Sequence, residues 1–239
     1  MKYVRDTTGR FAQRPHYEQA ELDDECEGII TQFMRERYGG LDFPLPTEAL
    51  KVLIERDASD LDLYADLTGE GEEVEGLTVF IPNEKPKVRI SKELTEQEHR
   101  EHRLRTTLAH EYGHVKFHGY LFDLEHGSPS IFAGSPQMVV TKCKRDTILN
   151  APRYDWMEWQ AGYMCGALLM PISPFRRDVL DFRKGNRLQQ DIVDGTPEAV
   201  DLIGKLAEKY DVSRDAGRVR LLKLGHLVGR SGAGMLLFR

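Results

Sequence analysis

The chain has 239 residues, a mass of 27.4 kDa and a net charge of −6, with 40% hydrophobic and 30% charged residues. This length and composition are typical of a globular protein with one domain, or one domain and a small satellite. The N-terminus lacks the apolar segment of a secretory signal, and the longest uncharged run, 161–172, is too short to span a bilayer. Three cysteines do not suggest a disulfide framework, so we expect a cytoplasmic protein that does not associate with membranes.

The charge is unevenly distributed along the chain. Residues 1–14 and 212–239 are basic, and the stretch 15–211 between them carries the acidic excess. An acidic body argues against nucleic-acid binding by the whole chain, although either end could contact an acidic partner or phosphate. Solvated basic side chains are the simpler interpretation of both ends.

The first part of the chain is predicted to form an irregular arm, two helices and a small sheet. Residues 1–16 show no periodic pattern, whereas apolar residues at helical spacing predict helices over about 17–38 and 46–56. Alternation or strand-like composition then predicts a small antiparallel sheet. Its segments are 61–67, 77–81 and 87–91, with a loop at 69–76.

The remainder is predicted to be mostly helical. Thr95 and Glu98 have the spacing of a capping box, which predicts a long helix that ends at Gly119. Several Pro and Gly residues in 120–154 indicate a loop that borders a functional cleft, with a strand at 137–143. Further helices are predicted over 155–170, from Ser173 onward, over 197–210 and over 213–224.

The predicted long helix contains an H-E-x-x-H sequence, His110 to His114. Two histidines four residues apart differ by only about 40° around a helix, so both imidazoles can bind one metal ion. Glu111 lies beside that face, where it could take a proton from a water that zinc has acidified. Random placement at this composition would give the motif roughly 0.02 times. A helix with two surface histidines is therefore the weaker interpretation.

A catalytic zinc site normally has a third protein ligand. Phe117 and Tyr120 stand where a longer motif would require Gly and His, and His118 lies about 6 Å further along the helix, better placed to support a ligand. Glu158, on a later helix, is the best candidate, although Asp155 and Glu158 also have the spacing of a capping box. Three residues of the predicted loop stay open as ligands: Asp123, Glu125 and His126.

Two segments carry a family resemblance. They are RTTLAHEYGH at 105–114, followed by His118 and Gly119, and EWQAGYMCGALLMP at 158–171. Together they resemble the two active-site helices of the ImmA/IrrE family, zinc metallo-endopeptidases of bacteria and phages that act as antirepressors. The resemblance covers about 45–225 and implies that Glu158 is the third zinc ligand. The chain departs from the family at Gly162, where the family usually has Asn or Asp.

Residues 206–222 also resemble that family and have the pattern of a helix-turn-helix. A DNA-binding interpretation would place Arg214, Arg218 and Lys223 on phosphates. The alternative is a helical pair that packs on the peptidase core, and it is favoured because no residue that would read bases is identifiable.

The predicted fold class is α+β: a small antiparallel sheet with a zincin-like active-site helix, followed by a mostly helical C-terminal part. The predicted organisation is an arm at 1–16, a metallopeptidase-like domain at 17–184 and a helical region at 185–239. The resemblance implies a gluzincin-type endopeptidase with one Zn²⁺ per chain, bound by His110, His114 and Glu158, with Glu111 as general base. Its substrate would be a helix-turn-helix repressor encoded nearby. The alternatives are a non-catalytic interaction protein with a structural zinc, or a DNA-binding regulator that uses 196–230.

Overall fold

The computed structural model describes residues 1–71, 73–81, 83–126, 139–144 and 155–229. Its architecture is α+β, as predicted. The α-helices are α1 (Gln19–Tyr38), α2 (Thr47–Asp57), α3 (Lys92–Thr95), α4 (Glu101–His126), α5 (Trp156–Leu169), α6 (Ile172–Gly185), α7 (Pro197–Tyr210) and α8 (Arg214–Lys223). The strands are β1 (Lys2–Arg5), β2 (Gln13–His16), β3 (Asp60–Ala65), β4 (Val74–Phe80), β5 (Lys87–Ser91), β6 (Val139–Lys144), β7 (Ile192–Val193) and β8 (Leu227–Val228). No helix in these ranges combines the length and apolar character needed to cross a bilayer.

The N-terminal segment is an antiparallel hairpin, so the prediction of an irregular arm over 1–16 was wrong. The Asp6 carboxylate closes the loop between β1 and β2 by accepting hydrogen bonds from the backbone N–H groups of Thr8 and Phe11. The Phe11 side chain is buried in a small apolar cluster formed with residues distant in sequence. The strands are too short and too polar to show an alternating apolar pattern in the sequence. Contacts with the rest of the chain stabilise them.

The central sheet is mixed, which corrects the prediction of an antiparallel one. Its order is β3-β5-β4-β6, with β3 parallel to β5 and the other neighbouring pairs antiparallel. All of β4 is buried, so it is an inner strand, and it begins at Val74, inside the predicted loop 69–76. Glu75 and Gly76 have loop-like composition, but Glu75 forms ion pairs with Arg100 and Arg103 beneath the sheet.

The long helix α4 is displaced toward the C-terminus relative to the prediction. The capping box at Thr95 is not formed, because its hydroxyl donates to the Leu63 carbonyl and α4 begins only at Glu101. The helix continues through Gly119 to His126. A Cβ at Gly119 would lie 3.0 Å from Pro86 Cγ, so this glycine permits a close contact and does not end the helix. The predicted strand at 137–143 corresponds to β6, and 127–138 and 145–154 lie outside the described residues.

The predicted helices of the C-terminal half are confirmed as α5 to α8. α5 crosses α4 closely at Gly113, where an added Cβ would lie 3.3 Å from Met164 Cε and 3.4 Å from Ala161 Cα. α7 and α8 begin at the side-chain caps of Thr196 and Ser213. One large hydrophobic core contains buried residues from α1 through β8, so the sheet-bearing part and the C-terminal helices share it.

Buried charges join α8 to the rest of the fold. Arg220 is 2% exposed, and its guanidinium lies 2.7 Å from the carboxylate of Asp23 on α1. The Tyr163 hydroxyl on α5 donates to the other oxygen of Asp23 at 2.8 Å. Because all three polar groups are buried together, α8 is held against α1 and α5 by charge as well as by apolar packing.

Two of the three cations considered for DNA contact are engaged within the chain. Arg218 Nε donates to Asp194 at 2.9 Å, and Lys223 Nζ lies 5.4 Å from the centre of the Tyr163 ring. Burial lowers the pKa of Lys223 to about 8. The geometry therefore agrees with a helical pair packed on the core.

Candidate metal centre

Two helices and one strand bring the predicted site residues together. α4 carries His110, Glu111 and His114 at its middle, and the first turn of α5 carries Glu158. Both histidines and Glu111 are fully buried, because this face of α4 is enclosed by α5 and by β4 of the sheet. The helical spacing of four residues places both imidazoles toward α5, as the sequence predicts.

The side-chain atoms of His110, His114 and Glu158 converge on one point. The two Nε2 atoms lie 3.1 Å apart, and the Glu158 carboxylate oxygens lie 3.2 Å from His110 Nε2 and 3.3 Å from His114 Nε2. The alternative role of Glu158 in a capping box is not formed: the carboxylate of Asp155, which precedes α5, accepts from Arg10 and makes no side-chain cap hydrogen bond.

This donor set fits a zinc ion. Nitrogen and oxygen ligands at about 2.0–2.2 Å from a tetrahedral zinc are about 3.3–3.5 Å apart, close to the separations found here. Among the described residues, this is the group of His, Cys, Asp and Glu side chains with the spacing of a metal site. The two imidazole nitrogens and the carboxylate could share one cation, with a neutral Nε2 lone pair of each histidine directed at it.

The electrostatics of the three groups also favour a cation. Burial alone would raise the pKa of Glu158, but His114 and His110 hold it well below its usual range. Burial disfavours the charged form of His114, but the Glu158 carboxylate outweighs that effect and raises its pKa. Together the two shifts favour a negative Glu158 carboxylate facing a protonated, positive imidazole. A metal ion would take the place of that proton.

Glu111 lies beside the three groups without joining them. Its Oε2 accepts a hydrogen bond from the Thr78 hydroxyl of β4 at 2.5 Å. Its Oε1 is buried and has no hydrogen-bond partner among the described residues. Burial raises the pKa of Glu111, and the neighbouring His110 and His114 offset part of that rise. The carboxylate thus has one oxygen held by Thr78 and one oxygen without a partner among the described residues.

Gly76 provides the space that Glu111 occupies. A Cβ at this position would lie 2.7 Å from both Glu111 Oε1 and Thr107 Cγ2. We expect Gly76→Ala to displace the Glu111 carboxylate and to lower the free energy of unfolding by about 1–3 kcal/mol, because the site is already filled. Chemical denaturation would measure the second effect. The matched control Gly28→Ala, where nothing lies within 4 Å, should not destabilise its helix. Equal stabilities of the two variants would contradict the steric argument.

A buried polar chain extends from His114 away from the three converging groups. His114 Nδ1 lies 3.0 Å from His118 Nδ1, and His118 Nε2 lies 3.0 Å from Gln160 Oε1. The Gln160 amide nitrogen donates to the Pro15 carbonyl of the hairpin at 3.1 Å. Burial and the neighbouring His114 lower the pKa of His118 to about 3, so this ring is neutral at physiological pH. His118 therefore supports a site residue, as its position in the sequence predicts.

No protein-family model matches the chain, and no curated protein matches its sequence. The resemblance to the ImmA/IrrE family thus depends on the sequence segments that carry it, 105–119, 158–171 and 206–222.

The structure shows contacts of residues that sequence reasoning missed, and it does not describe some side chains that the sequence proposed. Thr78, Gly76 and Gln160 were not predicted, because their roles depend on contacts across the fold. The side chains of Asp123, Glu125 and His126, which the sequence leaves open as ligands, lie outside the described residues.

Proposed function

We propose that this chain is a cytoplasmic zinc-dependent endopeptidase of the gluzincin type. His110, His114 and Glu158 would hold one Zn²⁺, and Glu111 would act as general base. The observation that carries the proposal is the convergence of two Nε2 atoms and a carboxylate within 3.3 Å, beside a buried carboxylate oxygen that has no described partner. The zincin-like character of α4 belongs to the same proposal.

The chain's own residues divide the chemistry between them. A bound zinc ion supplies Lewis acidity, which acidifies water and polarises a peptide carbonyl. Glu111 Oε1 accepts the proton of the attacking water and returns it to the amine nitrogen that leaves. Thr78 holds Oε2, so the carboxylate keeps one orientation during both transfers. Its raised pKa brings Glu111 closer to the operating pH, where a general base works best.

A purely structural zinc would not explain Glu111. A buried carboxylate with one unsatisfied oxygen is destabilising, since each unpaired buried polar group costs about 1–3 kcal/mol. A structural site would also tend to be closed by four protein ligands, whereas three converge here among the described residues. Both features favour a catalytic zinc site over a structural one.

The substrate class follows from the resemblance to the ImmA/IrrE family. We propose a helix-turn-helix transcriptional repressor, encoded nearby, as the cleaved protein. A DNA-binding function is not favoured, because Arg218 is paired with Asp194 and Lys223 is packed on Tyr163.

Metal removal tests the proposal directly. The purified protein, incubated with the repressor encoded beside it, should cleave the repressor at a discrete peptide bond identified by mass spectrometry. Chelation should abolish cleavage, and one equivalent of Zn²⁺ should restore it. At a free zinc concentration 1,000 times Kd, reloading should also raise the free energy of unfolding by about 4.1 kcal/mol. An intact repressor with the zinc-loaded protein would contradict the proposed substrate, and no zinc binding would contradict the proposed site.

A further inference from the structure

The hydrogen-bond chain beyond His114 can run in only one direction when His114 binds a metal through Nε2. The neutral His114 then carries its proton on Nδ1 and donates it to His118 Nδ1, 3.0 Å away. His118 must accept on Nδ1, so its own proton lies on Nε2, which faces the amide oxygen of Gln160. That N–H donates to Gln160 Oε1 at 3.0 Å.

Gln160 completes the chain and fixes its direction. Its amide oxygen accepts from His118, and its amide nitrogen donates to the Pro15 carbonyl at 3.1 Å. Rotating the amide by 180° would oppose two donors at His118 and two acceptors at Pro15, so only one orientation satisfies both ends. Gln160 is 1% exposed and both histidines are fully buried, so water does not compete for these bonds.

The hairpin packs around the same chain. The ring of Trp156 stands edge-on to His118, with centroids 5.5 Å apart. Phe11 contacts that tryptophan from the hairpin at 6.1 Å, and the Arg14 guanidinium lies 5.4 Å from the centre of its ring. His118 is therefore held by its hydrogen bond to Gln160 and by the edge-on ring of Trp156. Gln160 and Trp156 both contact the hairpin.

The two imidazoles of the site differ in this support. His110 Nδ1 is buried and has no hydrogen-bond partner among the described residues, whereas His114 Nδ1 has His118. Partners of this kind fix the tautomer of a metal-binding histidine, and their loss typically weakens metal binding 10–100-fold.

We infer that Gln160 is a positioning residue: through His118 it holds His114 in the tautomer that binds metal, and it connects the metal centre to the N-terminal hairpin. This inference rests on the proposed zinc site. If Gln160 cannot accept, His118 can carry its proton on Nδ1, which would confront the His114 Nδ1–H. His114 would then move its proton to Nε2, the atom that should bind zinc.

Two substitutions distinguish the hydrogen bond that the Gln160 oxygen accepts from the one that its amide nitrogen donates. Gln160→Leu removes the acceptor and should weaken Zn²⁺ affinity about 10–100-fold, measured by competition with a chromophoric chelator. Gln160→Glu keeps an oxygen acceptor for His118 and loses the donor for Pro15. It should retain zinc affinity close to that of the wild type, while hydrogen exchange at the amides of β2 becomes faster. Equal losses of zinc affinity in both variants, or no loss in either, would overturn the inference.

A measurement without metal distinguishes failure of this inference from failure of the zinc site. Long-range ¹H–¹⁵N NMR spectra of the metal-free wild-type protein should show His118 as the Nε2–H tautomer. The Nδ1–H tautomer would overturn the inference even if zinc binds. A wild-type protein that binds no zinc but shows the Nε2–H tautomer would contradict the proposed function and support the polar chain. Gln189→Leu, at an exposed position, is the matched control and should change neither measurement.

Discussion

Glu111→Gln should reduce repressor cleavage by about 10²-fold or more while leaving zinc content and fold unchanged. Glutamine matches glutamate in size, and its carbonyl oxygen can still accept from the Thr78 hydroxyl. An amide cannot take a proton from water, so the variant loses only the step assigned to Oε1. Cleavage rates from single-turnover assays, with zinc content determined by elemental analysis, would measure the two effects separately.

Glu98→Gln is the matched control for Glu111→Gln. It makes the same change of carboxylate to amide at an exposed position just before α4, and it should retain wild-type cleavage. Equal loss of repressor with wild type and Glu111→Gln would contradict the hydrolytic mechanism. If both proteins relieved repression and left the repressor intact, the protein would act by binding, with zinc in a structural role.

Glu158→Ala should abolish both zinc occupancy and cleavage. The substitution removes the oxygens that face His110 and His114 at 3.2 and 3.3 Å, so only two ligands remain. The affinity should therefore fall by more than the 10–100-fold that follows loss of an outer hydrogen-bond partner. Isothermal titration with Zn²⁺ would measure the affinity, and circular dichroism would show whether α4 and α5 persist.

Asp155→Asn provides the comparison for Glu158→Ala. Asp155 directly precedes the same helical turn, but its carboxylate accepts from Arg10 at 3.1 Å and is not one of the three converging groups. Its substitution should preserve about one equivalent of zinc. A Glu158→Ala protein with the zinc affinity of Asp155→Asn would exclude Glu158 as a ligand.

The convergence of the residues proposed to bind metal could be predicted from sequence in part, because it depends on local spacing. Four residues along one helix suffice to place His110 beside His114, whatever encloses them. Glu158 could be placed only with the aid of the family resemblance, because its spacing from Asp155 is equally that of a capping box. The fold decides between these roles, since Asp155 is bonded to Arg10 and Glu158 faces the histidines.

The incorrect predictions of secondary structure came from local sequence signals. Contacts between distant parts of the fold overrule those signals. Gly76 belongs to a segment with loop-like composition, yet it lies within β4. Only glycine leaves room for Glu111 at this position of the strand. Gly119 has the position of a helix stop, yet α4 continues past it because the glycine accommodates Pro86. The hairpin could not be predicted because its strands are polar and depend on a buried turn at Asp6 and on aromatic contacts of Phe11.

The buried pair of Arg220 and Asp23 has a consequence for how the molecule denatures. If α8 detached from α1, the Asp23 carboxylate would lose the cation that pairs with it in the interior, and breaking such a buried pair costs about 3–5 kcal/mol. That is a large part of the roughly 5–15 kcal/mol that stabilises a whole domain. Arg105 on α4 forms a second buried contact with the C-terminal helices, since its guanidinium donates to the carbonyl of Tyr210 at the end of α7. The C-terminal helices should therefore melt in the same cooperative transition as the helix that carries His110 and His114, and not as a separate module.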